Sequence, residues 1–123
     1  MTQAPRPTDV ELSLLRVLWK LGPATVKDVH RELSRHKELS YTGVLRMLQV
    51  MFEKGLVLRD ESERSHVYQP AHSKDSTQKG MVTDLLEKAF AGSAKDLVQA
   101  ALKAGHVSPK EKAEIRALLG EEE

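Results

Sequence analysis

The chain has 123 residues, of which 40% are apolar, 30% charged and only 4% aromatic, with a formal net charge of +1. Such a composition describes a folded chain of one ordinary domain, or a small domain with a helical appendage, rather than a disordered one. The lack of cysteine excludes disulfides, thiolate metal sites and cysteine nucleophiles, and no apolar run approaches the ~20 residues that span a bilayer.

Met1–Thr8 is polar and proline-bearing, with no signal-peptide core. The expectation is a cytoplasmic protein without membrane insertion. Residues 1–72 carry 11 Lys/Arg against 9 Asp/Glu, and residues 73–123 carry 8 against 9. A nucleic-acid function therefore needs cations clustered by position rather than supplied in bulk.

The first helix opens at Thr8, with Glu11 three residues on as a capping box. Val10, Leu14, Val17, Leu18 and Leu21 follow on one face, and Gly22-Pro23 stops the helix. The second opens at Thr25 with Asp28 and runs to about Arg35, turning Val26, Val29 and Leu33 inward. After a connection from His36 to Leu39, Ser40 caps a third helix that runs through Lys54, and Gly55 stands where a left-handed cap belongs. Two short strand-like runs, Leu56–Arg59 and His66–Gln69, enclose the polar stretch Asp60–Ser65 as a hairpin with a charged tip, closed by Pro70.

The remainder reads as three helices. One runs from about Ser73 to Phe90. The second runs from Ser93 to Gly105. The third opens with Ser108-Pro109-Lys110-Glu111 and frays over Glu121–Glu123. The predicted fold is mostly α with a small β-hairpin. A winged helix-turn-helix domain occupies 1–72, and a helical dimerisation domain occupies 73–123.

At 100° per residue the third helix divides cleanly. Val44, Met47, Leu48, Met51 and Phe52 share an arc suited to the core, and Thr42, Arg46, Gln49, Val50 and Glu53 share the opposite one. The outer arc has groove-reading chemistry. Arg46 matches guanine, Gln49 matches adenine, and Thr42 or Val50 matches a thymine methyl, with Gly43 exposed beside them at the helix start. Ser40 and Tyr41 are placed to hold phosphates at the helix N-terminus. Arg59, Arg64 and His66 flank the hairpin tip, diluted by Asp60, Glu61 and Glu63, and Lys54 serves either a phosphate or the helix dipole. Taken alone, the outer arc also fits a merely solvated face. The three-helix-plus-hairpin order favours the reading role.

Catalysis has no motif to rest on: there is no Gly-rich phosphate loop, nucleophile elbow or metalloprotease helix. His30, His36, His66, His72 and His106 lack metal-ligand spacing, so neither a metal nor a cofactor is expected. Trp19 reads as a core residue against the hairpin. Met81, Leu85, Leu86, Leu97, Val98, Leu102, Ile115, Leu118 and Leu119 form stripes on helices too short to bury them unaided, which points to a second copy of the chain. Two further roles stay open: a winged-helix module that docks on protein, and a ligand- or metal-sensing regulator.

Pro7–Leu12, Val17-Leu18-Trp19, Gly22–Val26, Tyr41–Leu45 with Met47-Leu48-Gln49, Glu53–Val57, Arg64–Tyr68 and Phe90–Ser93 together resemble the penicillinase repressor family of BlaI/MecI/CopY type, from Pro7 to Leu119. The resemblance implies a homodimer on a palindromic double-stranded operator, often built of TACA/TGTA-type half-sites. It also implies repression by promoter occlusion and, in the β-lactamase branch, inactivation through a membrane sensor linked to proteolysis of the repressor. The chain departs from the family in three places. It lacks the cysteine cluster of the copper-responsive branch, it has Ala100-Ala101 at the staphylococcal Asn-Phe cleavage pair, and it has Val50 where many relatives carry a basic residue.

Overall fold

The computed structural model describes residues 5–121. Met1–Ala4 lie outside the described residues, as do Glu122 and Glu123 of the expected frayed tail. Two compact units are present, Met1–Met81 and Val82–Glu123.

The first unit holds three helices and a three-stranded sheet. The order is α1 (Asp9–Leu21), β1 (Ala24–Thr25), α2 (Val26–Leu33), α3 (Tyr41–Lys54), β2 (Val57–Asp60) and β3 (Val67–Pro70). Each helix starts where a side chain satisfies otherwise unpaired N–H groups. Thr8 and Glu11 exchange bonds of 3.2 and 2.9 Å, and Thr25 and Asp28 exchange two of 3.2 Å. The Ser40 hydroxyl accepts from the Gly43 N–H at 2.9 Å. Gly55 ends α3 at φ 83°, with its N–H on the Phe52 carbonyl and that of Leu56 on Met51. This pair of bonds requires the left-handed backbone that glycine adopts without strain.

The sheet is antiparallel, with β3 central between β1 and β2. Ala24 faces Tyr68, and on the other side Arg59 faces Tyr68. Leu14, Leu15 and Leu18 of α1, Val29 and Leu33 of α2, and Val44, Leu48 and Met51 of α3 close on Val57 and Tyr68 as one core. Trp19 packs at its edge, donating its indole N–H to the His72 carbonyl at 3.3 Å.

Several local expectations are corrected. The helix expected to reach about Arg35 ends at Leu33, where the N–H groups of Ser34, His36 and Lys37 fold back on its last turn. Both hairpin strands lie one residue later than expected, and the two-residue β1 was not foreseen. Val10 and Leu21 are exposed instead of core-facing, because the inward face of α1 centres on Leu14 and Leu18 and takes in Leu15 and Glu11.

The second unit continues α4 (Lys74–Ala89), which begins in the first, and adds α5 (Ala94–Lys103) and α6 (Pro109–Glu121). Ser93 and Ser108 cap the last two through the Asp96 and Glu111 N–H groups, at 3.0 and 3.1 Å. Among the described residues, none of α4, α5 or α6 is buried. Leu85, Val98, Leu102, Leu118 and Leu119 stand exposed, and Met81, Leu86, Leu97 and Ile115 are half-buried.

Candidate nucleic-acid interface

Three anchors hold α3. Val44, Leu48 and Met51 are 0% exposed, and Leu45, Met47 and Phe52 pack partly against the same core. With 3.6 residues per turn, fixing that stripe fixes the direction of the other face. Thr42, Arg46, Gln49, Val50 and Glu53 are all exposed. Neither Arg46 nor Gln49 is engaged by another side chain among the described residues. The helix thus carries a rigid backing and an unspent guanidinium and amide.

The turn into α3 is tied back to α2. His30 donates its Nε2–H to the Leu39 carbonyl at 2.9 Å, an arrangement that places the ring proton on that nitrogen. Its ring meets Tyr41 edge-on, 6.0 Å between centroids and 77° between planes.

A groove of about 640 Å³ runs between the start of α2, the outer side of α3 and the wing. It gathers Lys27, Tyr41, Gln49, Arg59, Arg64 and His66, with Asp28 as its acidic member, so residues from three elements face one space. Ser40, Thr42, Gly43, Arg46 and Val50 do not line it. Lys27 escaped the sequence reading. Its signal was its place in the first turn of the helix before the reading candidate, which gains meaning only when the wing is seen opposite.

Two of the predicted phosphate cations already have partners. The Lys54 ammonium lies 2.8 Å from both carboxylate oxygens of Glu11, a residue only 2% exposed. Burial pushes the Glu11 carboxyl up, but the hydrogen bonds from Lys54 and from Thr8 outweigh it and hold it below the usual glutamate value. Arg59 bonds Glu61 at 2.9 Å through Nε and at 2.7 Å through Nη2, and its guanidinium lies 4.1 Å over the Phe52 ring. Hydrogen bonding with the Tyr68 side chain, then with Glu61, raises the Arg59 pKa further and keeps it charged. At the wing tip the Asp60 carboxylate accepts the Ser62 N–H at 2.9 Å, so it shapes the turn. Arg64 is exposed beside it and His66 half-buried.

Comparison with known proteins gives a consistent picture. The penicillinase repressor family model matches residues 7–121. The transcriptional regulator BlaI of Mycobacterium tuberculosis is 37% identical over 90 residues, 72% of this chain and 65% of that protein, so the match spans just under two thirds of the mycobacterial relative. The penicillinase repressor of Bacillus licheniformis is 25% identical over 98% of this chain and 94% of its own length. The solution structure of the monomeric Bacillus licheniformis BlaI in complex with the blaP half-operator is 28% identical, with a TM-score of 0.53 over 62% of this chain and 93% of that one.

Proposed function

The chain belongs to the penicillinase repressor family, a family of DNA-binding repressors and not of enzymes, and from that premise we propose that it is a homodimeric transcriptional repressor acting on a palindromic operator. In this reading the winged-helix domain, residues 1–72, lays α3 in the major groove. The helices of residues 73–123 join two copies across a two-fold axis. A two-fold dimer presents its two α3 helices about one turn of DNA apart, ~34 Å, or a multiple of it.

The observation that carries the proposal is the division of α3 into a buried stripe of Val44, Leu48 and Met51 and an exposed, uncommitted face bearing Arg46 and Gln49. Thr42, Gly43, Arg46, Gln49 and Val50 read base edges. Ser40, Tyr41, Arg64 and His66 hold phosphates, joined by Lys27 across the groove. Lys54 and Arg59 serve mainly the fold and the wing base through Glu11 and Glu61. The half-operator complex of the Bacillus licheniformis relative supports DNA as the partner. The unburied stripes of α4 to α6 support the dimer.

The test is binding of a labelled duplex from the region upstream of the protein's own gene, titrated against a mixed-sequence duplex at several salt concentrations. A sequence-selective complex that weakens steeply with salt is expected. Equal affinity for both duplexes would reject the operator reading.

A further inference from the structure

We propose that His30 is a positioning residue that sets the first turn of α3, and with it the placement of Tyr41, Thr42 and Gly43 on DNA. The proposal rests on the reading of α3 as the base-reading helix.

The chain between α2 and α3 is held at its middle by the exposed Lys37 ammonium, which donates to the Ser13 hydroxyl of α1 at 3.0 Å. The N–H groups of Arg35, His36 and Lys37 bond back onto the end of α2, and the segment then runs irregularly to Ser40. What fastens its far end is the His30 Nε2–H on the Leu39 carbonyl, one residue before the N-cap. Leu39 itself packs partly against the core. Ser40 then takes an extended backbone, φ −72° and ψ 159°, and its hydroxyl receives the Gly43 N–H.

An N-cap works only if the residue before the helix arrives from the right direction, since the side chain must reach back over the first turn. His30 supplies that direction. Its ring also limits Tyr41, which is half exposed at the rim of the groove. Arg46 and Gln49 lie on later turns, anchored by Val44, Leu48 and Met51. His30 therefore governs the N-terminal end of the helix, while the core governs the rest.

The contact needs a proton on Nε2, which both the neutral tautomer and the imidazolium can supply. A glutamine at this position has a comparable reach and retains an N–H donor, though it lacks the ring that meets Tyr41. Replacement by alanine removes both contacts.

The test combines amide hydrogen exchange on the free protein with titration of the two duplexes named above, for wild type, His30→Ala and His30→Gln. His30→Ala should speed exchange at Gly43 and Val44, with the protection of α1 and β3 unchanged. It should weaken the upstream duplex about five- to tenfold, the size of one lost hydrogen bond, and weaken the mixed-sequence duplex by less, through the Ser40 and Tyr41 phosphate contacts alone. His30→Gln should recover most of both effects.

The proposal is overturned by wild-type exchange at Gly43 and Val44 in His30→Ala. It is also overturned by faster exchange throughout the unit with equal losses on both duplexes, or by His30→Gln behaving as His30→Ala does. The exchange arm needs no DNA. If wild type fails to distinguish the duplexes, the operator reading falls, and exchange alone decides whether His30 positions the turn.

Discussion

Lys54, in the last turn of α3, places its ammonium against both carboxylate oxygens of Glu11, in the first turn of α1, across 43 residues of chain. The same Glu11 also accepts the Thr8 N–H. One carboxylate therefore caps α1 and clamps the far end of α3. Removing its cation leaves a buried charge with only the cap to satisfy it, and breaking a pair of this kind costs more than the pair contributes.

The first prediction follows from that geometry. Lys54→Met should lower unfolding stability by about 2–3 kcal/mol near neutral pH, measured by urea denaturation. The Glu11 carboxyl is held below its ordinary value, so its contribution is full above the unfolded-state pKa. It is lost as pH falls through that value toward the folded one. The difference between variant and wild type should accordingly shrink on acidification. A difference that is constant across the acid range would show that the ion pair is not its source.

A second prediction separates this structural cation from DNA-facing ones. If Lys54 is committed to Glu11, Lys54→Met should leave the salt dependence of DNA binding unchanged under conditions where the variant stays folded. Arg64→Ala, on the exposed wing, should reduce the slope of log affinity against log salt by about one and weaken all sequences alike. The reverse pattern would exchange their roles.

How far the sequence foretold these arrangements depended on distance along the chain. The two faces of α3 follow from a period carried by adjacent residues. The caps at Thr8, Thr25 and Ser40 follow from partners three positions away. Glu11 was legible as half of a capping box, but nothing local indicates that it is buried or that Lys54 reaches it. The two residues of β1 are too few to show alternation, and they pair only because β3 arrives alongside them. The positions of Lys54 and Arg59 were legible as cations but their pairing was not, because charge is visible in a sequence and its neutralisation by Glu11 and Glu61 is not. His30 showed no signal at all, since its partner is a main-chain carbonyl.

The third prediction concerns base reading. Arg46 is exposed on a helix whose opposite face is buried in the core, so its guanidinium can meet a base edge without reorganising the fold. Arg46→Ala should cost about 1–3 kcal/mol on the cognate duplex and relax selectivity at one base pair per half-site. A panel of single-base-pair substitutions, titrated by fluorescence anisotropy, would reveal the position that no longer matters. A uniform loss across the panel would make Arg46 a phosphate contact instead.

The last prediction concerns the apolar stripes of the second unit. Leu118 and Leu119 are 59% and 64% exposed, a costly arrangement for two adjacent leucines unless a partner covers them. A two-fold interface meets any substitution twice. Burial of one leucine is worth about 1.5–3 kcal/mol, so Leu119→Glu should weaken dimerisation by at least a hundredfold if the side chain lies in the contact. Sedimentation equilibrium would show the shift to monomer. The core of Leu14, Val29, Leu48 and Tyr68 is built from residues of the first unit alone, so the winged-helix unit should keep its circular dichroism. Its operator affinity should fall with the lost second half-site, while binding of an isolated half-site duplex stays near wild type. Retention of the dimer by Leu119→Glu, and by Leu102→Glu on α5, would place the two-fold contact elsewhere and remove the stripes from the argument for dimerisation.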